Sequence, residues 1–176
     1  MVAQPKKYNW LPDFVYGSID GVVTTFAVVS GVQGASLSVE IVLILGFANL
    51  FGDGFSMAVG KYLSDKAQVD QLENDKKDTS GVNPMKGGLY TFISFNVVGL
   101  VPLLGYILGP LFEFSEKTTF IFTSIITLLS LFFIGVTKAQ FVKKSKLYAG
   151  FQTMMIGGLA AFIAFYVGYF VEKLVN

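Results

Sequence analysis

The sequence predicts an all-α membrane protein in which a single domain, residues 1–176, crosses the bilayer five times. The chain is 53% hydrophobic and 14% charged, with a mean hydropathy of +0.61, whereas soluble domains are about one-quarter charged. Five stretches are long and apolar enough to cross a hydrocarbon core, which takes about 20 residues. The charged residues are concentrated between these stretches.

The predicted spans follow from hydropathy. They cover residues 14–35, 39–62, 87–112, 118–137 and 148–171. The first two spans are the least apolar, because each carries a carboxylate, Asp20 or Asp53, and several glycines. The alternative for these two is a pair of buried helices in a soluble protein, but too little polar surface remains to cover such a core.

The connections between the spans are short, with one exception. Residues 34–38 form a tight link, so the first two spans are expected to be antiparallel neighbours. The exception is residues 61–86, where acidic residues alternate with lysines. We interpret this segment as a solvated cytosolic linker, in which Ser64 is a candidate cap for a short helix that ends before Thr79.

The lysines indicate the orientation of the chain. Positive residues accumulate in cytoplasmic loops, and only Lys117 and Lys173 fall on one side of a five-span protein. The other eleven share the opposite side: Lys6, Lys7, Lys61, Lys66, Lys76, Lys77, Lys86, Lys138, Lys143, Lys144 and Lys146. The sequence therefore predicts a cytosolic amino terminus and a carboxyl terminus on the outer side.

The residue types that are missing exclude several functions. The chain has no cysteine and no histidine, which removes disulfides, thiolate chemistry, imidazole ligands and histidine-based catalysis. It has no arginine either, so bidentate phosphate binding and nucleic-acid recognition are not expected. An enzyme is disfavoured, because two carboxylates without a nucleophile or a cofactor motif make a poor active site. We expect no bound cofactor.

Small and polar residues form one stripe on the second predicted span. Its members recur at spacings of three and four, which places them on one face of a helix: Gly46, Asn49, Asp53, Ser56 and Gly60, with Met57 beside them. On the first span, Tyr16, Asp20 and Thr24 share a face. Close helix packing explains the glycines, but it does not explain two acids and an asparagine.

Asp20 and Asp53 are expected at similar depths in the membrane. At 1.5 Å per residue, Asp20 lies about 9 Å from the cytosolic end of its span. On the second span, Met57 lies about 7 Å and Asp53 about 13 Å from that side. Ionisable groups inside a membrane usually face a bundle interior or a water-filled path, so we predict that the two acids belong to one functional site.

The chemistry of these side chains suits a divalent metal. Carboxylate and amide oxygens with a thioether favour a first-row ion such as Fe²⁺ or Mn²⁺, since copper and zinc usually recruit cysteine or histidine, and Ca²⁺ or Mg²⁺ would not need a methionine. The candidate ligands are Asp20, Met57, Asp53 and Asn49, and Thr24 and Ser56 are expected to line the pathway. Retained waters or a second subunit would complete the coordination shell.

Several runs of the sequence resemble the vacuolar iron transporter family. Residues 16–26, YGSIDGVVTTF, are similar to its first-span signature, and residues 46–58, GFANLFGDGFSMA, to its second-span signature. The resemblance continues in order through residues 83–86, 99–103 and 157–161 and Tyr166. Between the second and third spans the chain resembles the short form, which lacks the long glutamate-rich metal-binding region of other members.

The resemblance implies a homodimer of five-span subunits in a lipid bilayer, with a metal path near the subunit boundary. It implies export of Fe²⁺, often also Mn²⁺, from the cytosol, coupled to inward proton movement. Asp20 and Met57 match the family's pathway positions. Asn49 stands where iron-transporting members can carry glutamate, so strict iron selectivity is not expected.

Two stripes of small residues predict close helix contacts. On the fifth span, Gly157, Ala161, Ala164 and Gly168 are expected to pack within the subunit. On the first span, Gly17 and Gly21 are expected at the dimer interface.

The alternative to metal export is a membrane-embedded interaction or scaffold protein whose polar stripe is a structural dimer interface. Metal transport in liposomes would distinguish the two functions. The compact chain favours a prokaryotic cytoplasmic membrane, and a vacuole-like membrane is the alternative in a eukaryotic host.

Overall fold

The computed structural model describes residues 7–142 and 145–175, and these residues form helices and turns without a strand. The helices are α1 (Leu11–Gly34), α2 (Val39–Asn74), α3 (Pro84–Gly99), α4 (Val101–Leu108), α5 (Glu116–Val142) and α6 (Lys146–Val175), and a 3₁₀ turn (Gly109–Phe112) follows α4. Within the described ranges, five helical segments are long and apolar enough to cross a membrane, which confirms the predicted fold class. Lys6, Lys143 and Lys144, used above to predict the orientation, lie outside these ranges.

The helix ends follow from local sequence. Asn83 caps α3, because its side-chain oxygen accepts the backbone N–H of Lys86 at 3.0 Å. Residues with left-handed backbone follow three elements and terminate them. They are Ser36 after α1, Lys76 after α2 and Glu113 after the 3₁₀ turn, with φ angles of 53°, 54° and 52°.

Helix α2 is longer than predicted. It runs without interruption through Ser64 to Asn74, so the expected short helix capped by Ser64 is wrong, and much of the predicted linker is helical. Residues 61–74 contain no glycine or proline to end the helix. A long-range contact also holds this part of α2, since Asp65 is buried against Gly87 at the start of α3.

The third membrane segment is broken between α3 and α4. Pro102 has no N–H to donate to the preceding turn, and its ring clashes with that turn. The chain tightens here, and the N–H of Leu103 bonds the carbonyl of Leu100 at 2.9 Å. The segment from Pro84 to Phe112 nevertheless remains one apolar stretch long enough to span a membrane.

Helix α1 lies at the centre of the bundle, in contact with α2, α3, α5 and α6. Half of its most apolar stretch is buried, compared with 11% for α6. Gly17 and Gly21 face α3, and a Cβ added at Gly21 would lie 3.0 Å from the Cα of Phe95. The prediction that these two glycines form a dimer interface is therefore wrong, because their small size serves packing against α3 within the subunit.

The small-residue stripe on α6 packs within the subunit, as predicted. Gly157 and Ala161 are buried. A Cβ added at Gly168 would lie 2.9 Å from the carbonyl carbon of Gly31, and one added at Gly31 would lie 3.5 Å from the carbonyl oxygen of Ala164. The backbones of α1 and α6 therefore approach closely where both sequences carry small residues.

Candidate functional site

The antiparallel pairing of α1 and α2 sets the geometry of the candidate site. Near the amino-terminal end of α1, Tyr16 and Met57 line one cleft of about 320 Å³. Two helical turns further along α1, the side-chain amide of Asn49 donates to the hydroxyls of Thr24 and Thr25, each over 3.4 Å. These two levels of contact fix the register between the helices.

This register brings the two predicted carboxylates to one level. Asp20 lies midway along α1 between the residues that make the two contacts, and Asp53 lies midway between their partners on α2. Both residues are half-buried. The register therefore places Asp20 and Asp53 at the same level of the α1–α2 pair.

The polar groups around the two acids are held in place by hydrogen bonds. The Thr24 hydroxyl donates to the backbone carbonyl of Asp20 at 2.8 Å, which fixes its rotamer along the helix. The Asn49 bonds use only its N–H₂ group, so its side-chain oxygen is not consumed by them. Ser56 differs from its predicted neighbours, because it is exposed whereas Asn49, Asp53 and Met57 are half-buried.

The donor set of one subunit is small. In the part of the chain that the structure describes, no three acidic side chains gather where they could hold a metal ion. Helices α1 and α2 offer four candidate ligands here: the carboxylates of Asp20 and Asp53, the amide oxygen of Asn49 and the thioether of Met57. Because Mn²⁺ prefers six mainly oxygen ligands, waters or a second subunit would have to supply the remainder.

The candidate site opens onto the surface of the subunit. Asp20 lines a cleft of about 530 Å³ together with Tyr16, Ile19 and Lys138. Tyr16 also lines the cleft that contains Met57, so the two clefts share this residue. This face of α1 is uncovered in a single chain, since Tyr16 is 55% exposed.

A buried ion cluster beside this site was not predicted. The Lys61 ammonium lies 3.0 Å from a carboxylate oxygen of Asp13 and 2.6 Å from one of Asp65. The hydroxyl of Tyr8 donates to the other Asp13 oxygen at 2.7 Å. Burial, reinforced by this hydrogen bond to Asp13, raises the pKa of the Tyr8 hydroxyl.

The cluster joins the start of α1 to the second half of α2. Asp13 and Asp65 are 6% and 5% exposed, and buried carboxylates are costly unless a cation and hydrogen bonds compensate them. Sequence reasoning treated Lys61 only as an orientation marker and Asp65 as part of a solvated linker. The one available signal was the four-residue spacing of Lys61 and Asp65, which pairs opposite charges on a helix.

The sequence is similar to known proteins over most of its length. A model of the VIT family matches residues 11–81 and 71–169. The chain is similar to the vacuolar iron transporter of Plasmodium berghei (strain Anka), with 27% identity over 90% of this chain and 81% of the relative. It is 26% identical to the vacuolar iron transporter of Toxoplasma gondii (strain ATCC 50861 / VEG), over 96% of this chain and 76% of the relative. It is 25% identical to vacuolar iron transporter homolog 2.1 of Arabidopsis thaliana, over 91% of this chain and 80% of the relative.

Proposed function

This chain belongs to the VIT family, and from that premise we propose that it transports divalent metal, Fe²⁺ and also Mn²⁺, out of the cytosol in exchange for protons. The observation that carries the proposal is the pairing of Asp20 and Asp53 at one level between α1 and α2, with Met57 and Asn49 one turn to either side. Relatives named vacuolar iron transporter support it.

Competition between metal and proton provides the mechanism. A carboxylate that binds a metal must be deprotonated, so metal binding and proton binding oppose each other. Metal arriving from the cytosol displaces a proton from Asp20, and a proton arriving from the outer side weakens the carboxylate's hold and releases the metal. Asp53 supplies a second carboxylate along the path, and the Met57 thioether supplies a softer ligand.

We propose that the working unit is a homodimer. One subunit offers two carboxylates at the site, which leaves the coordination of a first-row ion incomplete. The cleft that contains Asp20 opens on the uncovered face of α1. A partner subunit placed over this face would cover Tyr16, which is 55% exposed, and would add its own ligands to the path.

We propose a cytosolic amino terminus, from the eleven lysines that share its side. The loop that contains Ser115 would then face outward, and the loop that contains Ser80 would face the cytosol. Because the chain has no cysteine, Ser115→Cys and Ser80→Cys each introduce one labelling site on an exposed residue. We expect a membrane-impermeant maleimide to label Ser115→Cys from outside and Ser80→Cys only after the membrane is opened. Labelling in the reverse pattern would overturn the orientation.

Metal flux into proteoliposomes tests the proposed function. The purified chain is reconstituted, Fe²⁺ (kept reduced) or Mn²⁺ is added on the cytosolic face, and the opposite compartment is made acidic. We expect metal movement into the acidic compartment, proton movement in the opposite direction reported by a pH dye, and slower metal movement when the pH gradient is collapsed. A scaffold protein would give no more flux than empty liposomes under any gradient.

A further inference from the structure

Helix α2 carries a row of residues that leads from the candidate ligands to the cytosolic end of the membrane. Neighbours four residues apart lie one above another on a helix face. Successive members are offset by about 40°, so the row winds slowly around the helix. It consists of Asn49, Asp53, Met57, Lys61 and Asp65, and every member is half-buried or buried. Lys61 follows Met57 one turn nearer the proposed cytosolic end of α2 and lines the same cleft, so an ion that reaches Met57 from the cytosol passes close to the Lys61 side chain.

Lys61 lies on the boundary between two clefts. It lines the opening that contains Met57 and Tyr16, of about 320 Å³. It also lines a separate cleft of about 240 Å³ that contains Asp13 and Asp65. Its ammonium is bound on this second side, at 3.0 Å from Asp13 and 2.6 Å from Asp65.

The pairing draws the ammonium away from the metal entrance. Asp65 lies one helical turn beyond Lys61 on the cytosolic side, whereas Met57 lies one turn deeper. A turn is about 5.4 Å, a distance that the flexible four-carbon stem of lysine spans. An unpaired ammonium would therefore reach the level of Met57, where it would repel a divalent cation in the cleft.

We propose that Lys61 is a charge gate at the cytosolic entrance of the metal path, kept open by Asp13 and Asp65. While the two carboxylates hold the ammonium, a divalent cation passes. When they release it, the ammonium closes the entrance. The inference rests on the proposed transport function. It makes Lys61 a specificity-determining residue and the two aspartates its positioning residues.

Release and rescue test the gate in proteoliposomes, with Mn²⁺ as the probe. The double variant Asp13→Asn/Asp65→Asn leaves the ammonium without its partners, and we expect its apparent KM for Mn²⁺ to rise about tenfold, as the repulsion of a divalent ion predicts. Adding Lys61→Met removes the ammonium and should restore the KM to near the wild-type value. A purely structural role for the cluster predicts that the triple variant is no better than the double.

Uptake by the wild type and by the single variant Lys61→Met separates failure of the gate from failure of the transport function. Wild-type uptake is measured first, because its absence overturns the proposed function, whereas normal wild-type uptake with equal KM in the double and triple variants overturns only the gate. If the double variant fails to fold, Lys61→Met alone is used, since it has no ammonium to close the entrance. We expect it to keep wild-type or lower KM, and a folded Lys61→Met protein without uptake would overturn the gate.

Discussion

Replacing Asp20 with asparagine is expected to reduce metal uptake by a factor of about 100 or more, since losing a preorganised charged interaction in a low-dielectric site costs on that order. The substitution keeps the shape of the side chain but removes both its negative charge and its ability to bind a proton. Initial rates of Fe²⁺ and Mn²⁺ uptake into proteoliposomes, with an imposed pH gradient, measure the effect.

The matched control for this experiment is Asp70→Asn. Asp70 is an exposed carboxylate on the part of α2 beyond the predicted span, so the same chemical change there should leave the rate within about twofold of the wild type, as expected for a screened surface charge. Size-exclusion profiles of both variants should match the wild type. An Asp20→Asn protein that transports at the wild-type rate and keeps its proton dependence would show that the mechanism is wrong.

The substitution Gly21→Ala is expected to destabilise the whole bundle. An added Cβ would lie 3.0 Å from the Cα and carbonyl carbon of Phe95, and closer still to its carbonyl oxygen. Backbone atoms cannot rotate away as a side chain can, so α1 and α3 must separate. Overpacking of this kind costs about 1–3 kcal/mol, which corresponds to an apparent melting temperature lower by about 2–12 °C for a chain of this size.

Gly52→Ala provides the control for the glycine prediction. Gly52 lies in the membrane part of α2, and an added Cβ would meet no described atom within 4 Å. Alanine there should leave the melting temperature unchanged or slightly raised, because glycine inside a helix costs about 0.5–1 kcal/mol relative to alanine. Melting curves of the purified variants in one detergent compare the two sites. Equal melting temperatures for Gly21→Ala and Gly52→Ala would contradict the close backbone approach.

The spans and the level of the two acids were accessible to sequence reasoning. Hydropathy locates the helices because a membrane segment has to be apolar over a set length. The short link at residues 34–38 then leaves α1 and α2 little freedom, so counting residues from each end brings Asp20 and Asp53 together. The contacts of Thr24 with Asn49, and of Tyr16 with the Met57 cleft, agree with that count.

Contacts between residues far apart in the sequence could not be predicted in this way. The spacing of Gly17 and Gly21 indicates that some helix approaches closely, but it does not say which one, and the partner is α3 rather than a second subunit. Lys61 and Asp65 lie in a segment rich in charged residues, which predicts that their side chains are solvated. Their burial depends on Asp13 and on the start of α3, and no short-range pattern reports such contacts.

The contact between α1 and α6 has a consequence for biosynthesis. Helix α1 is made before α6, and it packs against α6 through Gly31 and Gly34. Until α6 is made, the groove on α1 that receives Gly168 stays open while α2–α5 are inserted. Contacts between distant parts of a chain form late, so this side of the bundle closes only after α6 has been made. During this interval the face of α1 that carries Gly31 and Gly34 is not yet covered by its partner helix.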